Sequence, residues 1–221
     1  MIIKVCGMRE PQNIREVAAL AINWIGFIFY ERSKRFVRQC PTEQQVTDSE
    51  QLSPKKVGVF VNATIESMME KASAYKLDYL QLHGNESPED CHTLQKRGYS
   101  LIKAFPIATK EDFEKTREYE VRVDYFLFDT RCEGYGGSGK RFDWSILTEY
   151  KGETPFLLSG GIRPENAEAI RHFRHPRFAG IDLNSGFEIE PGLKDVDKLK
   201  DFIQQISHPA VEMGRAPSPT V

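Results

Sequence analysis

Ile2-Ile3-Lys4-Val5-Cys6 is a short, largely β-branched run interrupted by one lysine, and runs of this kind return seven more times along the 221 residues. Candidate strands start near Ile2, Trp24, Val57, Asp78, Leu101, Asp124, Pro155 and Phe178. The successive starts lie 22, 33, 21, 23, 23, 31 and 23 residues apart, each close to one strand, one helix and two loops. Eight such units in series predict an α/β chain folded as a closed (β/α)8 (TIM) barrel, a single domain over residues 1–207. A doubly wound open sheet is the rival arrangement, but no G-x-G-x-x-G opens the first helix. Residues 208–221 carry Pro209, Pro217 and Pro219 with few large apolar side chains, and are read as a flexible tail.

The segments between the runs carry helix signals. Pro11 starts the first helix, with Ile14, Val17, Ala18 and Ala21 on one face. Thr64 suits the cap of the helix after the third strand, with Glu66 and Ser67 in its first turn. Ser87-Pro88-Glu89 and Arg163-Pro164-Glu165 set proline at or near a first helical position. The two longest spacings predict extended loops at 33–38 and 131–141, and long loops at one end of a barrel are where function collects.

Composition narrows the function classes. Hydrophobic residues make up 40% and charged residues 28%, as expected of a folded globular chain rather than a disordered one. Thirty basic against 32 acidic residues, with no basic stripe, argue against a nucleic-acid partner. No apolar stretch approaches the ~18 residues of a membrane span, and no secretory signal precedes the first strand. Cys6, Cys40, Cys91 and Cys132 are widely spaced without a CxxC pair, so no metal cluster and no disulfide framework is expected. The expectation is a cytoplasmic protein, monomer or homodimer, with a small molecule rather than nucleic acid or membrane as its partner.

Alternation along each strand assigns the faces. Ile3 and Val5 point to the helices, which leaves Lys4 and Cys6 inward with Cys6 at the C-terminal rim. Phe126 and Phe128 point out, so Tyr125, Leu127 and Asp129 point in, with Asp129 at the rim. Ile181 and Leu183 leave Asp182 inward. Cys6 by itself also suits a buried apolar position, and Asp129 by itself a loop cap. After the seventh strand comes Gly160-Gly161, and after the eighth Asn184-Ser185-Gly186. Loops at these two places commonly cradle a phosphate through backbone amides.

These residues match a family. The chain resembles phosphoribosylanthranilate isomerase, an enzyme of tryptophan biosynthesis, over roughly residues 2–206. Lys4-Val5-Cys6-Gly7-Met8, Gly26-Phe27-Ile28-Phe29, Ser33-Lys34-Arg35-Phe36-Val37 and Val57-Gly58-Val59-Phe60-Val61-Asn62 carry the resemblance in the first half. Leu80-Gln81-Leu82-His83-Gly84, Phe128-Asp129-Thr130, Gly136-Gly137-Ser138-Gly139 and Phe142-Asp143-Trp144 continue it. Leu158-Ser159-Gly160-Gly161-Ile162, Asp182-Leu183-Asn184-Ser185-Gly186-Phe187-Glu188 and Pro191-Gly192-Leu193-Lys194-Asp195 complete it. Ser33-Lys34-Arg35 stands where the family often has Ser-Pro-Arg, Ser159 where alanine is common, and Asn184 where serine is common.

The resemblance implies an Amadori rearrangement of N-(5-phosphoribosyl)anthranilate to 1-(2-carboxyphenylamino)-1-deoxyribulose 5-phosphate, without cofactor or metal. It makes Asp129 the general acid and Cys6 the general base. It sets Arg35 on the anthranilate carboxylate and Asp182 on the substrate amine or a sugar hydroxyl, with a structural role for Asp182 equally open. It leaves the phosphate to Gly160, Gly161, Asn184, Ser185 and Gly186. Gln81 and His83 point inward on the fourth strand, and His83 is read as supporting rather than reacting. The chemistry asks for a protonated Asp129, raised by burial, and for a Cys6 thiol lowered below its ordinary range, with Lys4 as the nearest candidate to lower it. The related histidine-pathway barrel is expected to have an aspartate where Cys6 stands. A non-catalytic phosphate-binding barrel has no reason to pair Cys6 with Asp129.

Overall fold

The computed structural model describes residues 1–38, 54–130 and 144–207. Eight parallel strands close in sequence order into a barrel. They are β1 Ile2–Val5, β2 Trp24–Ile28, β3 Lys55–Phe60, β4 Tyr79–Leu82, β5 Ser100–Ile107, β6 Tyr125–Thr130, β7 Phe156–Ser159 and β8 Phe178–Leu183. Every strand falls within two residues of the start its apolar run predicts. The closing contact is between β1 and β8, where Lys4 lies level with Asp182.

The coat is uneven. Helices α1 Pro11–Ala18, α2 Ile65–Tyr75, α3 Pro88–Lys96, α4 Ala167–His172 and α5 Val196–Ser207 follow strands one, three, four, seven and eight. After β5 and β6 the chain forms 3-10 turns, Lys110–Tyr119 and Trp144–Glu149, in place of α-helix. The predicted caps are present: the Thr64 hydroxyl accepts from the Ser67 amide at 3.2 Å, and Ser87 and Asp90 cap each other's amides ahead of Pro88. The first helix is shorter than its pattern predicts, because Ala21 is exposed beyond its end. After β8 a small hairpin, β9 Glu188–Glu190 and β10 Leu193–Lys194, folds back beside α1. The predicted tail at 208–221, the loop at 131–141 with Gly136 to Gly139, and Cys40 and Cys132 lie outside the described residues.

Two apolar layers follow from strand alternation. Ile3, Val5, Phe126, Phe128, Phe156 and Ile181 face the coat in one large core. Each fully buried side chain of this size contributes roughly 1.5–3 kcal/mol relative to exposure. Trp24, Val57, Ile102, Ala104, Leu127 and Leu157 fill the barrel interior. Trp24 stacks on Tyr79 with ring centroids 4.6 Å apart and meets Tyr125 edge-on at 5.1 Å. This aromatic group lies at the N-terminal ends of its strands, so the floor is plugged and the polar inward residues collect at the opposite end.

Candidate active site

A cavity of about 340 Å³ opens at the C-terminal end of the barrel. Cys6, Gln81, His83, Asp129, Ser159 and Asp182 line it from strand ends, and Gly160, Gly161, Asn184 and Ser185 line it from the loops after β7 and β8. Ile28, Val59, Val61 and Ile162 supply apolar wall, and Tyr30 and Ser33 one rim. The structure thus brings together Cys6, Asp129 and Asp182, which lie far apart in the chain. Gly186 is not on this lining: a β-carbon there would sit 2.1 Å from the Ile162 carbonyl oxygen, so it lets the two phosphate-type loops pack together. Gly160 and Gly161 hold φ of 89° and 63°, a backbone that L side chains rarely adopt, and both line the cavity.

Cys6 is 3% exposed, and its amide donates to the Leu183 carbonyl at 2.8 Å, which fixes the end of β1 against β8. A β-carbon at Gly26 would lie 2.8 Å from Cys6 Sγ, so the second strand leaves the thiol its room. Below the thiol, Lys4 Nζ donates to Asp182 Oδ1 at 2.9 Å in an almost fully buried ion pair. Burial alone would lower the Lys4 ammonium, but Asp182 and then Cys6 lift it above its ordinary range.

The expected lowering of the Cys6 thiol is not found in the free protein. Burial pushes it up, Lys4 pulls it back, Asp182 pushes it up again and Lys194 pulls it down, and the net direction is upward. The reason is physical. A thiolate in this position loses its hydration, and the lysine beside it is already half-neutralised by its own carboxylate. The burial expected around Asp129 is partial as well: its side chain keeps 32% of its exposure, and His83 Nε2 stands 3.7 Å from Oδ2.

Arg35 reaches the same end of the barrel, but its guanidinium is held by a partner the sequence reading did not single out. Its Nε donates to Glu188 Oε1 at 2.8 Å and its Nη2 to Oε2 at 2.5 Å. Glu188 also accepts from Lys194 Nζ at 2.7 Å and from the Gly192 amide at 3.1 Å. Lys194 is fully buried and donates further to Asn184 Oδ1 at 2.7 Å, while Asn13 clamps its backbone on both sides. Burial would raise the Glu188 carboxyl, yet Arg35 and Lys194 hold it down at about 2. Glu188 and Lys194 sit inside quoted motifs, but nothing local in the sequence says that residue 188 meets residue 35.

A closed parallel barrel with a polar cavity at the C-terminal ends of its strands is the arrangement of the barrel enzymes. The family described as N-(5'phosphoribosyl)anthranilate (PRA) isomerase matches residues 3–205. The N-(5'-phosphoribosyl)anthranilate isomerase of Parabacteroides distasonis is 95% identical over the full length of both chains. The crystal structure of phosphoribosyl anthranilate isomerase from Thermotoga maritima superposes with a TM-score of 0.80 at 34% identity, covering 93% of this chain and 98% of that one. A structure of such an isomerase in complex with reduced 1-(o-carboxyphenylamino)-1-deoxyribulose 5-phosphate gives 0.79 at 30% identity, with the same coverage. The chain belongs to the phosphoribosylanthranilate isomerase family, a family of aldose–ketose isomerases in tryptophan biosynthesis. Among the described residues no helix is long and apolar enough to cross a membrane.

Proposed function

We propose that the chain carries out the Amadori rearrangement of N-(5-phosphoribosyl)anthranilate with Asp129 as general acid and Cys6 as general base. The observation that carries this reading is that one cavity is lined at once by Cys6, Asp129 and the loop residues Gly160, Gly161, Asn184 and Ser185. A ligand tethered by its phosphate at those loops has its ribose between the thiol and the carboxyl. Gly186 supports the loop from behind.

In the first step Asp129 gives its proton to the ring oxygen, the C1′–O bond breaks, and the nitrogen lone pair forms the iminium. In the second, Cys6 takes the C2′ proton and the released electron pair runs into the iminium to give the enolamine, which becomes the ketone. Because its thiol is raised, Cys6 first gives its own proton to solvent, since only the thiolate can take the C2′ proton. The iminium is a cation generated beside Cys6, joining Lys4 and Lys194, and it favours the thiolate at the moment a base is required. A desolvated thiolate is also a stronger base than a hydrated one. Asp182 keeps Lys4 in place and offers its remaining oxygen to the ligand amine or a hydroxyl. Arg35, already aimed by Glu188, takes the anthranilate carboxylate through its guanidinium.

The test is the loss of anthranilate fluorescence on turnover by purified protein. Cys6→Ala and Asp129→Asn each abolish it, and Arg35→Ala chiefly raises KM. Parental turnover by Cys6→Ala would show that the base is another group.

A further inference from the structure

The fourth strand carries two polar side chains into the cavity that neither chemical step uses. Gln81 is 1% exposed and His83 about one third exposed. Gln81 Nε2 lies 2.9 Å from His83 Nδ1, and His83 Nε2 lies 3.7 Å from Asp129 Oδ2. Among the described residues the other end of the amide, Gln81 Oε1, is buried without a hydrogen-bond partner. The backbone beneath is fixed: the His83 amide donates to Phe60 O at 2.8 Å, and buried Glu86 ties the Gly84 and Asn62 amides together at 2.9 and 2.7 Å.

We propose that His83, oriented by Gln81, is the relay that returns a proton to Asp129 between turnovers. This rests on the acid and base roles given above. Proton accounting gives such a path a task. Once the enolamine has formed, an O–H bond has been made on the sugar with the Asp129 proton and an S–H bond with the C2′ proton. The site is left as carboxylate and thiol. Ketonisation then adds a proton at C1′ and releases one from the C2′ hydroxyl, so the starting charges return when Cys6 supplies the first and Asp129 recovers the second. His83 has the position for the second transfer, since its ring spans from the open mouth to the Asp129 carboxylate, and imidazole is the side chain that exchanges protons near neutrality.

The transfer balances through Nε2. The imidazolium gives its Nε2 proton to Asp129 Oδ2, the neutral ring keeps its proton at Nδ1, and a solvent proton returns to Nε2. A ring that retains the Nδ1 proton needs an acceptor there. Gln81 Oε1 is that acceptor once the amide turns over, and the opposite face of the same amide donates to Nδ1 when the ring proton is on Nε2. One buried glutamine therefore serves both tautomers. The 3.7 Å gap closes through a small ring rotation, as catalytic contacts commonly tighten in the liganded state.

The experiment follows anthranilate fluorescence at saturating substrate in weak buffer, for the parental chain and for His83→Asn and His83→Gln, with imidazole titrated in. The expected result is a kcat at least about tenfold lower in both variants, with KM within about twofold of parental, at the low end of acid–base contributions. Added imidazole restores kcat in the variants in proportion to its concentration and leaves the parental chain unmoved. A merely structural histidine gives no such rescue. Parental kcat in either variant, or a loss that imidazole does not relieve in either, overturns the relay. Parental turnover by Asp129→Asn in the same assay refutes the underlying acid assignment, whatever the His83 variants do.

Discussion

Replacing Glu188 by glutamine is the perturbation whose size the structure sets most directly. The Glu188 side chain is 5% exposed and bridges Arg35 to the fully buried Lys194. Its carboxyl is held down from 4.5 to about 2, against the upward push of its own burial. A displacement of that size corresponds to about 3 kcal/mol of folded-state preference for the ionised form. Removing one member of a buried pair costs a comparable ~3–5 kcal/mol, because here it strands the Lys194 ammonium. The pH dependence follows from the sign. A depressed carboxyl stabilises the fold fully above about pH 4.5 and loses that contribution as the pH falls toward 2. Urea unfolding of parental and Glu188→Gln protein should therefore differ by about 3 kcal/mol at pH 7 and by roughly half that at pH 3. In a domain of this size the pH 7 difference corresponds to roughly 6–12 °C in Tm. A difference below about 1 kcal/mol at pH 7, or one unchanged between pH 7 and pH 3, would refute the claim that Glu188 works as a buried charge.

Three other perturbations test separate parts of the design. Lys4→Met removes the cation under Cys6 and leaves Asp182 buried without its partner, so iodoacetamide should alkylate Cys6 more slowly and kcat should fall; unchanged alkylation would show that Lys4 does not tune the thiol. Gly26→Ala drives a methyl group to 2.8 Å from Cys6 Sγ. It should lower kcat and cost about 1–3 kcal/mol of stability, read by activity and thermal melting together. Trp24→Ala empties the barrel floor and should destabilise by about 3–5 kcal/mol while leaving KM near parental, since the cavity lies at the other end of the strands. A large rise in KM would mean that floor and mouth are mechanically coupled.

The barrel and the faces of its strands are legible in consecutive residues. Eight apolar runs at near-constant spacing admit few topologies, and a period of two puts Cys6, Asp129 and Asp182 inward as firmly as it puts Val5, Phe128 and Ile181 outward. Glycine pairs and proline starts are equally local signals, and the Thr64 and Ser87 caps follow from nearest neighbours in the chain. After β5 and β6 the described residues form 3-10 turns rather than the α-helix that the strand spacing predicts. Tertiary structure alone decided what surrounds each inward group. Arg35 meets Glu188, 153 positions further along the chain, and Lys194 approaches Cys6 from the hairpin after β8. The thiol is raised rather than lowered because desolvation depends on everything packed around it, and no run of neighbours in the chain reports that sum. Periodicity is a property of consecutive residues, whereas charge balance and burial are properties of the volume they come to share.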